Sequence, residues 1–215
     1  MKLYSAGLSP FAARVRLAIY AKSLPVDIVA PPSGGLKSPE YLAVNPIGKL
    51  PALVLADGMV IPESDTIVEY LADAFPASGL KPASAEDAAS ARLLARVAEL
   101  YIMTPGGALF SQMNPAARNA EAVDAAFVSL EKGLEYLNLF VGEGAYAVGD
   151  SLSLADCAIV PIFFFTGVFG QAFGKGDLLA RHNKLTAYWS KVQADPSVAK
   201  VLSEMQEGLA NFGRN

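Results

Sequence analysis

The sequence predicts two domains of different class: a small α/β domain over residues 1–76 and an all-helical domain over 85–215, joined by a linker at 77–84. Three observations predict this. Up to residue 75, short apolar runs alternate with helix-spaced patterns. Beyond residue 84 every periodic segment has helical spacing. Between the two lies a stretch rich in Pro, Ser, Ala and Gly that breaks both periods. With 215 residues, the chain is long enough for two cores.

The elements follow in order. Residues 2–4 read as a strand, and Ser9-Pro10 opens a helix whose apolar face is Phe11, Val15, Ala18 and Ile19. Residues 26–29 are a second strand. Ser38-Pro39-Glu40 starts a short helix with a serine cap, a proline in the first turn and a carboxylate at the positive end of the dipole; it stops before Asn45-Pro46. Residues 52–55 and 59–61 flank Asp57-Gly58, a type I′ turn signal, and so form a hairpin. Ser64 then caps a helix through residue 75. In the second half, helices are expected over 85–103, 115–140, 153–168, 184–194 and 198–207.

Composition narrows the function. Hydrophobic residues make up 53% and charged residues 18%, against about 25% charged in an average soluble protein, which excludes disorder. The mean hydropathy of +0.33 owes much to alanine, of which there are 36. Residues 157–174 carry no charge and touch the roughly 18-residue length of a membrane span. Pro161, Gly167, Gly170, Gln171 and Gly174 interrupt that stretch, however, so a buried helix followed by a loop is expected, and no membrane partner. Ser5, Ser9, Pro10, Arg14 and Arg16 break up the N-terminus, which leaves no signal-peptide run and implies a cytoplasmic protein. The one cysteine, Cys157, and the one histidine, His182, exclude an internal disulfide, a multi-cysteine metal site and a histidine cluster, so a metal-free mechanism is expected. Cys157 itself reads as a buried small hydrophobe. A net charge of −4 without a Lys/Arg run argues against nucleic acid.

Three short motifs could carry chemistry. Ser9 stands at a helix N-terminus, where it is either a plain cap or a hydroxyl donor to an anion such as a thiolate. Pro51 begins an edge strand in trans as judged from spacing; a cis bond would instead turn the main chain of Leu50 outward to pair with a peptide ligand. Glu63-Ser64 is either a capped helix start or a grip for an amino-acid zwitterion, Glu63 taking the ammonium and Ser64 with the following amides the carboxylate.

Taken together, Ser9-Pro10-Phe11, Arg14 and Arg16, Lys37-Ser38, Asn45-Pro46, Gly48-Lys49-Leu50-Pro51, Glu63-Ser64 and Ser153-Leu154-Ala155-Asp156 resemble the cytosolic glutathione transferases over the whole chain. The resemblance implies a thioredoxin-like first domain that binds glutathione and an all-helical second domain that contributes the electrophile pocket. It implies that Pro51 is cis, that Leu50 pairs with the cysteinyl backbone, and that Glu63 and Ser64 hold the γ-glutamyl end. Lys37 matches a lysine that binds the glycine carboxylate in the plant tau class, with Lys49 as the other choice. Ser-Pro-Phe looks like the tau class, and like the omega class with its cysteine replaced. Arg14-Val15-Arg16 is similar to the zeta isomerases, but the Ser-Ser-Cys run that precedes it there is missing.

The implied protein is a detoxifying transferase. Ser9 stabilises the thiolate of glutathione, the co-substrate, which attacks a small apolar electrophile on a wall formed by Phe11, Tyr101, Met103, Thr104, Phe110, Phe164 and Phe212. A glutathione-dependent isomerase or lyase and a non-catalytic binding protein are the alternatives. Tyr4, inside the first strand, is expected to be a packed aromatic. The family packs as a homodimer, and Asp65, Glu69 and Asp73 could face Arg92 and Arg96 across its axis.

Overall fold

The computed structural model describes residues 1–212 and divides into two units, Met1–Lys81 with the segment from Ala194, and Pro82–Gln193. The boundary falls between Lys81 and Pro82, and the last helix groups with the first unit, where it packs on the first helix.

The first unit is built on a four-stranded sheet of order β2-β1-β3-β4, with β1 Lys2–Tyr4, β2 Asp27–Val29, β3 Ala52–Val54 and β4 Val60–Pro62. β1 runs parallel to β2 and antiparallel to β3, and β3 pairs antiparallel with β4. Between β1 and β2 runs α1, Pro10–Ala21, with Ser9 as its cap and Pro10 in its first turn; residues 12–19 are all buried. The helix α2, Pro39–Val44, is capped by Ser38, and α3, Ser64–Ala74, buries Ile67, Val68, Leu71 and Ala72 at helical spacing. α1 packs against both α3 and the final helix.

Two local expectations need correction here. Of Asp57 and Gly58 only the glycine has positive φ, +88°, whereas a type I′ turn requires it at both positions. The Gly58 N–H donates to the Leu55 carbonyl at 3.1 Å, so the loop is a turn over Ala56-Asp57 followed by a left-handed glycine. Ser64 is likewise not the cap of α3. It is the first helical residue, and Glu63 holds the cap position.

In the second unit, α4 (Ala85–Val97), a π-helical stretch (Ala98–Met103) and α5 (Thr104–Phe110) follow without a break, so the helical run expected to end at 103 continues for two more turns. Pro115–Ala117 is only a 3₁₀ turn. The helix expected from 115 begins later, as α6, Ala120–Phe140, where Asn119 accepts the Ala122 N–H. α7, Leu154–Ala172, is the core helix of the unit and carries Pro161 in its interior. By length and composition, 85–110 and 154–172 could each cross a membrane; 78% of the most apolar window of the second is buried inside the protein. α7 does not give way to a loop at residue 168, the end expected of it, but runs on to Ala172. Gly170 is needed because a Cβ there would lie 2.1 Å from the Gly176 carbonyl, and the helix ends at Phe173 with Gly174 left-handed, φ +66°. α8, Asn183–Val192, closes this unit, and α9, Pro196–Asn211, belongs to the first.

Candidate functional site

The sheet register gathers the motifs. Tyr4, the last residue of β1, lies opposite Ala52, the first of β3, and Ala52 lies opposite Pro62, the last of β4. The chain leaving β1 toward Ser9, the chain entering β3 through Leu50-Pro51, and the chain leaving β4 into Glu63-Ser64 therefore meet at one end of the sheet. Sequence separations of about fifty residues become neighbours through two strand pairs.

Each of the three segments has a defined local geometry. Ser9 has extended backbone, φ −66° and ψ 118°, and its Oγ accepts the Ala12 N–H at 3.2 Å. That bond occupies a lone pair and leaves the O–H available as a donor. The Leu50-Pro51 bond is cis, as the resemblance implied and against the trans reading from spacing. The ladder begins at Ala52, so the Leu50 main chain stands outside it. Glu63 has φ +67° and ψ 117°, a conformation that costs a non-glycine residue of order 1–3 kcal/mol. Its side chain does not cap α3. Whereas Ser9, Ser38 and Asp195 cap α1, α2 and α9, the first turn of α3 has no side-chain cap, and its amides point out of the helix beside buried Ser64.

Residues outside the predicted set hold this arrangement in place. The Lys49 carbonyl, next to Leu50, accepts from Tyr41 Oη and Asn45 Nδ2, both at 2.8 Å, while Asn45 Oδ1 accepts the Ile47 N–H at 3.2 Å. Asn45 and Tyr41 are fully buried. The signal available in the sequence was Asn45-Pro46 at a helix end, which reads as a stop and says nothing of its long-range bond. Arg14, buried on α1, pairs with Asp65 of α3 at 3.6 Å and ties together the two helices that start at the site.

Lys37 Nζ donates to the Ile47 carbonyl at 3.3 Å and lies against Gly48, φ +64°, where a Cβ would come within 2.8 Å of it. Its ammonium is thus held two to three residues from Leu50. Lys49 is exposed.

The aromatic wall divides between the units. In the first, Phe11 is half-buried on α1 and Phe212, just past α9, is exposed. In the second, Tyr101 is 49% exposed and meets Tyr136 edge-on, and Phe110 is 41% exposed and stands edge-on to Phe165 and Phe169 at 5.0 Å. Phe164 packs on Phe165, Met103 is buried, and the Thr104 hydroxyl donates to the Glu99 carbonyl. Tyr4 packs edge-on against Tyr41, the aromatic role expected of it. Cys157 is buried. Of the charges assigned to a dimer axis, Asp65 pairs with Arg14, Asp73 with Lys81 and Arg96 with Glu99 in the same chain.

Both units are similar to known proteins. Residues 3–79 match the glutathione S-transferase N-terminal domain and residues 101–196 the C-terminal domain. Glutathione S-transferase 1 of Dianthus caryophyllus is 33% identical over 190 residues, covering 85% of each chain. A maleylacetoacetate isomerase of Pseudomonas aeruginosa is 28% identical over 194 residues, 87% of this chain and 91% of that one. Among solved structures, a glutathione S-transferase of Methylobacterium radiotolerans in complex with glutathione sulfonate superposes with a TM-score of 0.77 at 28% identity, covering 94% of this chain and 93% of the other. With both domain models matched in order, and a fold whose register assembles the resembling motifs at one end of a sheet, the chain belongs to the glutathione S-transferase family.

Proposed function

We propose that this protein conjugates glutathione to a small apolar electrophile, with Ser9 stabilising the thiolate. The observation that carries the reading is the register Tyr4–Ala52–Pro62, which brings a helix-capping serine, a main-chain segment outside the ladder and an uncapped helix start to one end of the sheet. The α3 amides and Ser64 suit the γ-glutamyl carboxylate, Glu63 its ammonium, the Leu50 main chain the cysteinyl unit, and Lys37 the glycine carboxylate. A free thiol titrates near pH 8.5. A hydroxyl donor and the α1 N-terminus that lower this by about two units supply about 2.7 kcal/mol. The thiolate then attacks the electrophilic carbon, the C–S bond forms, and the leaving group departs with its electron pair. The protein is read as a cytoplasmic homodimer, without recourse to the charge pairing considered from sequence.

Ser9→Ala should bind glutathione as the wild type does while turnover falls at least about tenfold, the loss of one charge-assisted hydrogen bond. Unchanged turnover would remove Ser9 from the mechanism. The second reading, a glutathione-dependent isomerase, is favoured by the Pseudomonas aeruginosa relative. The two are separated by whether turnover consumes glutathione: a transferase consumes one per product and an isomerase none.

A further inference from the structure

Arg16 lies on α1 one turn and a half beyond the start of the helix, 3% exposed, and all of its donors face inward. Nη1 donates to Ser5 Oγ and to the Ala6 carbonyl, and Nη2 to the Gly7 carbonyl, each at 2.8 Å. The Ala6 carbonyl also accepts the Ser9 N–H at 3.2 Å, so guanidinium and serine share one acceptor. A rigid planar fork thus holds the segment that leads into Ser9.

The other side of the fork is fixed from α9. Nε donates to Glu204 Oε2 at 2.8 Å, and Tyr20 Oη donates to Glu204 Oε1 at 2.8 Å. α9 also presses on the same segment with its backbone. A Cβ on Gly208 would lie 2.8 Å from the Leu8 nitrogen, and one on Gly7 would lie 3.2 Å from the Glu204 carbonyl. Residues 204 and 208 fall outside both stretches matched by the family models.

We propose that Glu204, acting through Arg16, is a positioning residue for Ser9, so that the last helix of the chain sets the direction of the serine hydroxyl and with it the acidity of bound glutathione. This rests on the reading that Ser9 stabilises the thiolate. Glu204 touches neither substrate, and its effect passes along Glu204, Arg16, the Ala6 carbonyl and the Ser9 amide.

The test is a pH titration of the ultraviolet thiolate absorbance of glutathione bound to wild type, Ser9→Ala, Glu204→Gln, Tyr20→Phe and, as a control on α9, Glu207→Gln. Ser9→Ala should raise the thiol pKa by about one to two units. Glu204→Gln should raise it by about half a unit, roughly a threefold loss of thiolate at fixed pH below the pKa, with glutathione affinity within about twofold of wild type. Loss of a negative charge would by itself lower the pKa, so the sign separates positioning from a simple field effect. Tyr20→Phe, which keeps every charge, should shift it in the same upward direction, and Glu207→Gln should not. If Ser9→Ala raises the pKa while Glu204→Gln and Tyr20→Phe leave it unchanged or lower it, the positioning role is overturned and the serine reading stands. If Ser9→Ala leaves it unchanged, the serine reading falls and the positioning role falls with it.

Discussion

Asn45 divides its amide between the two ends of one turn, donating to the Lys49 carbonyl and accepting from the Ile47 N–H. Its removal leaves the carbonyl with the Tyr41 hydroxyl alone and the Ile47 N–H without its acceptor, at a cost of about 0.5–1.5 kcal/mol for each bond lost. Because that carbonyl adjoins Leu50, the cost should appear in ligand binding as well as in stability. Asn45→Ala is expected to weaken glutathione binding about tenfold by calorimetry, an effect of 1.4 kcal/mol, with the fold kept by circular dichroism. Tyr20 carries a pH signature of its own. Burial, then the bond to Glu204 and its charge, push the phenol from 10.0 up to about 12. The unfolded chain releases this proton first, so the stabilising contribution is complete below pH 10 and is lost as pH rises toward 12. Chemical denaturation across that window should show a shallower fall in Tyr20→Phe than in wild type; equal slopes would mean that the phenol is not held as described.

At the scale of elements, the helical unit is anchored where α7 starts. Asp156 is wholly buried and accepts from the Ser153 N–H, the Ser153 hydroxyl, the Ala147 N–H and Tyr188 Oη. Ser153 and Asp156 thus form a capping box, whose links to residue 147 and to α8 were not legible, since a local motif carries no record of distant donors. Asp156→Ala orphans several buried donors at about 1–3 kcal/mol each and should lower the melting temperature by well over 5 °C, given roughly 2–4 °C per kcal/mol for a chain of this size. A shift of a degree or two would show that the donors find other partners. Where the sequence misled, it did so through residues with two uses. Asp57-Gly58 suits a type I′ turn and equally the turn-plus-glycine loop observed, and Gly170 looks like a helix breaker although it serves close packing on Gly176. Strong local periodicity located α1, α3 and the core helix, though not the cap of α3 or the end of the core helix.

At the scale of the molecule, the order of elements was legible, because it rests on patterns within a few tens of residues. The grouping of α9 with the first unit was not. It depends on Gly7, Gly208, Arg16 and Glu204 meeting across nearly the whole chain, and none of these forms a local pattern. The dimer reading is checked by light scattering, which should report about twice the 22.6 kDa chain mass; a monomer at micromolar concentration would refute it. The central claim, that glutathione lies along the end of the sheet with its sulfur facing Ser9, is tested most directly by a crystal structure of the complex with glutathione. It should show the sulfur within hydrogen-bonding distance of Ser9 Oγ, the cysteinyl main chain paired with Leu50, and the γ-glutamyl carboxylate on Ser64 and the first amides of α3. A sulfur turned away from Ser9, or a peptide bound elsewhere, would contradict it.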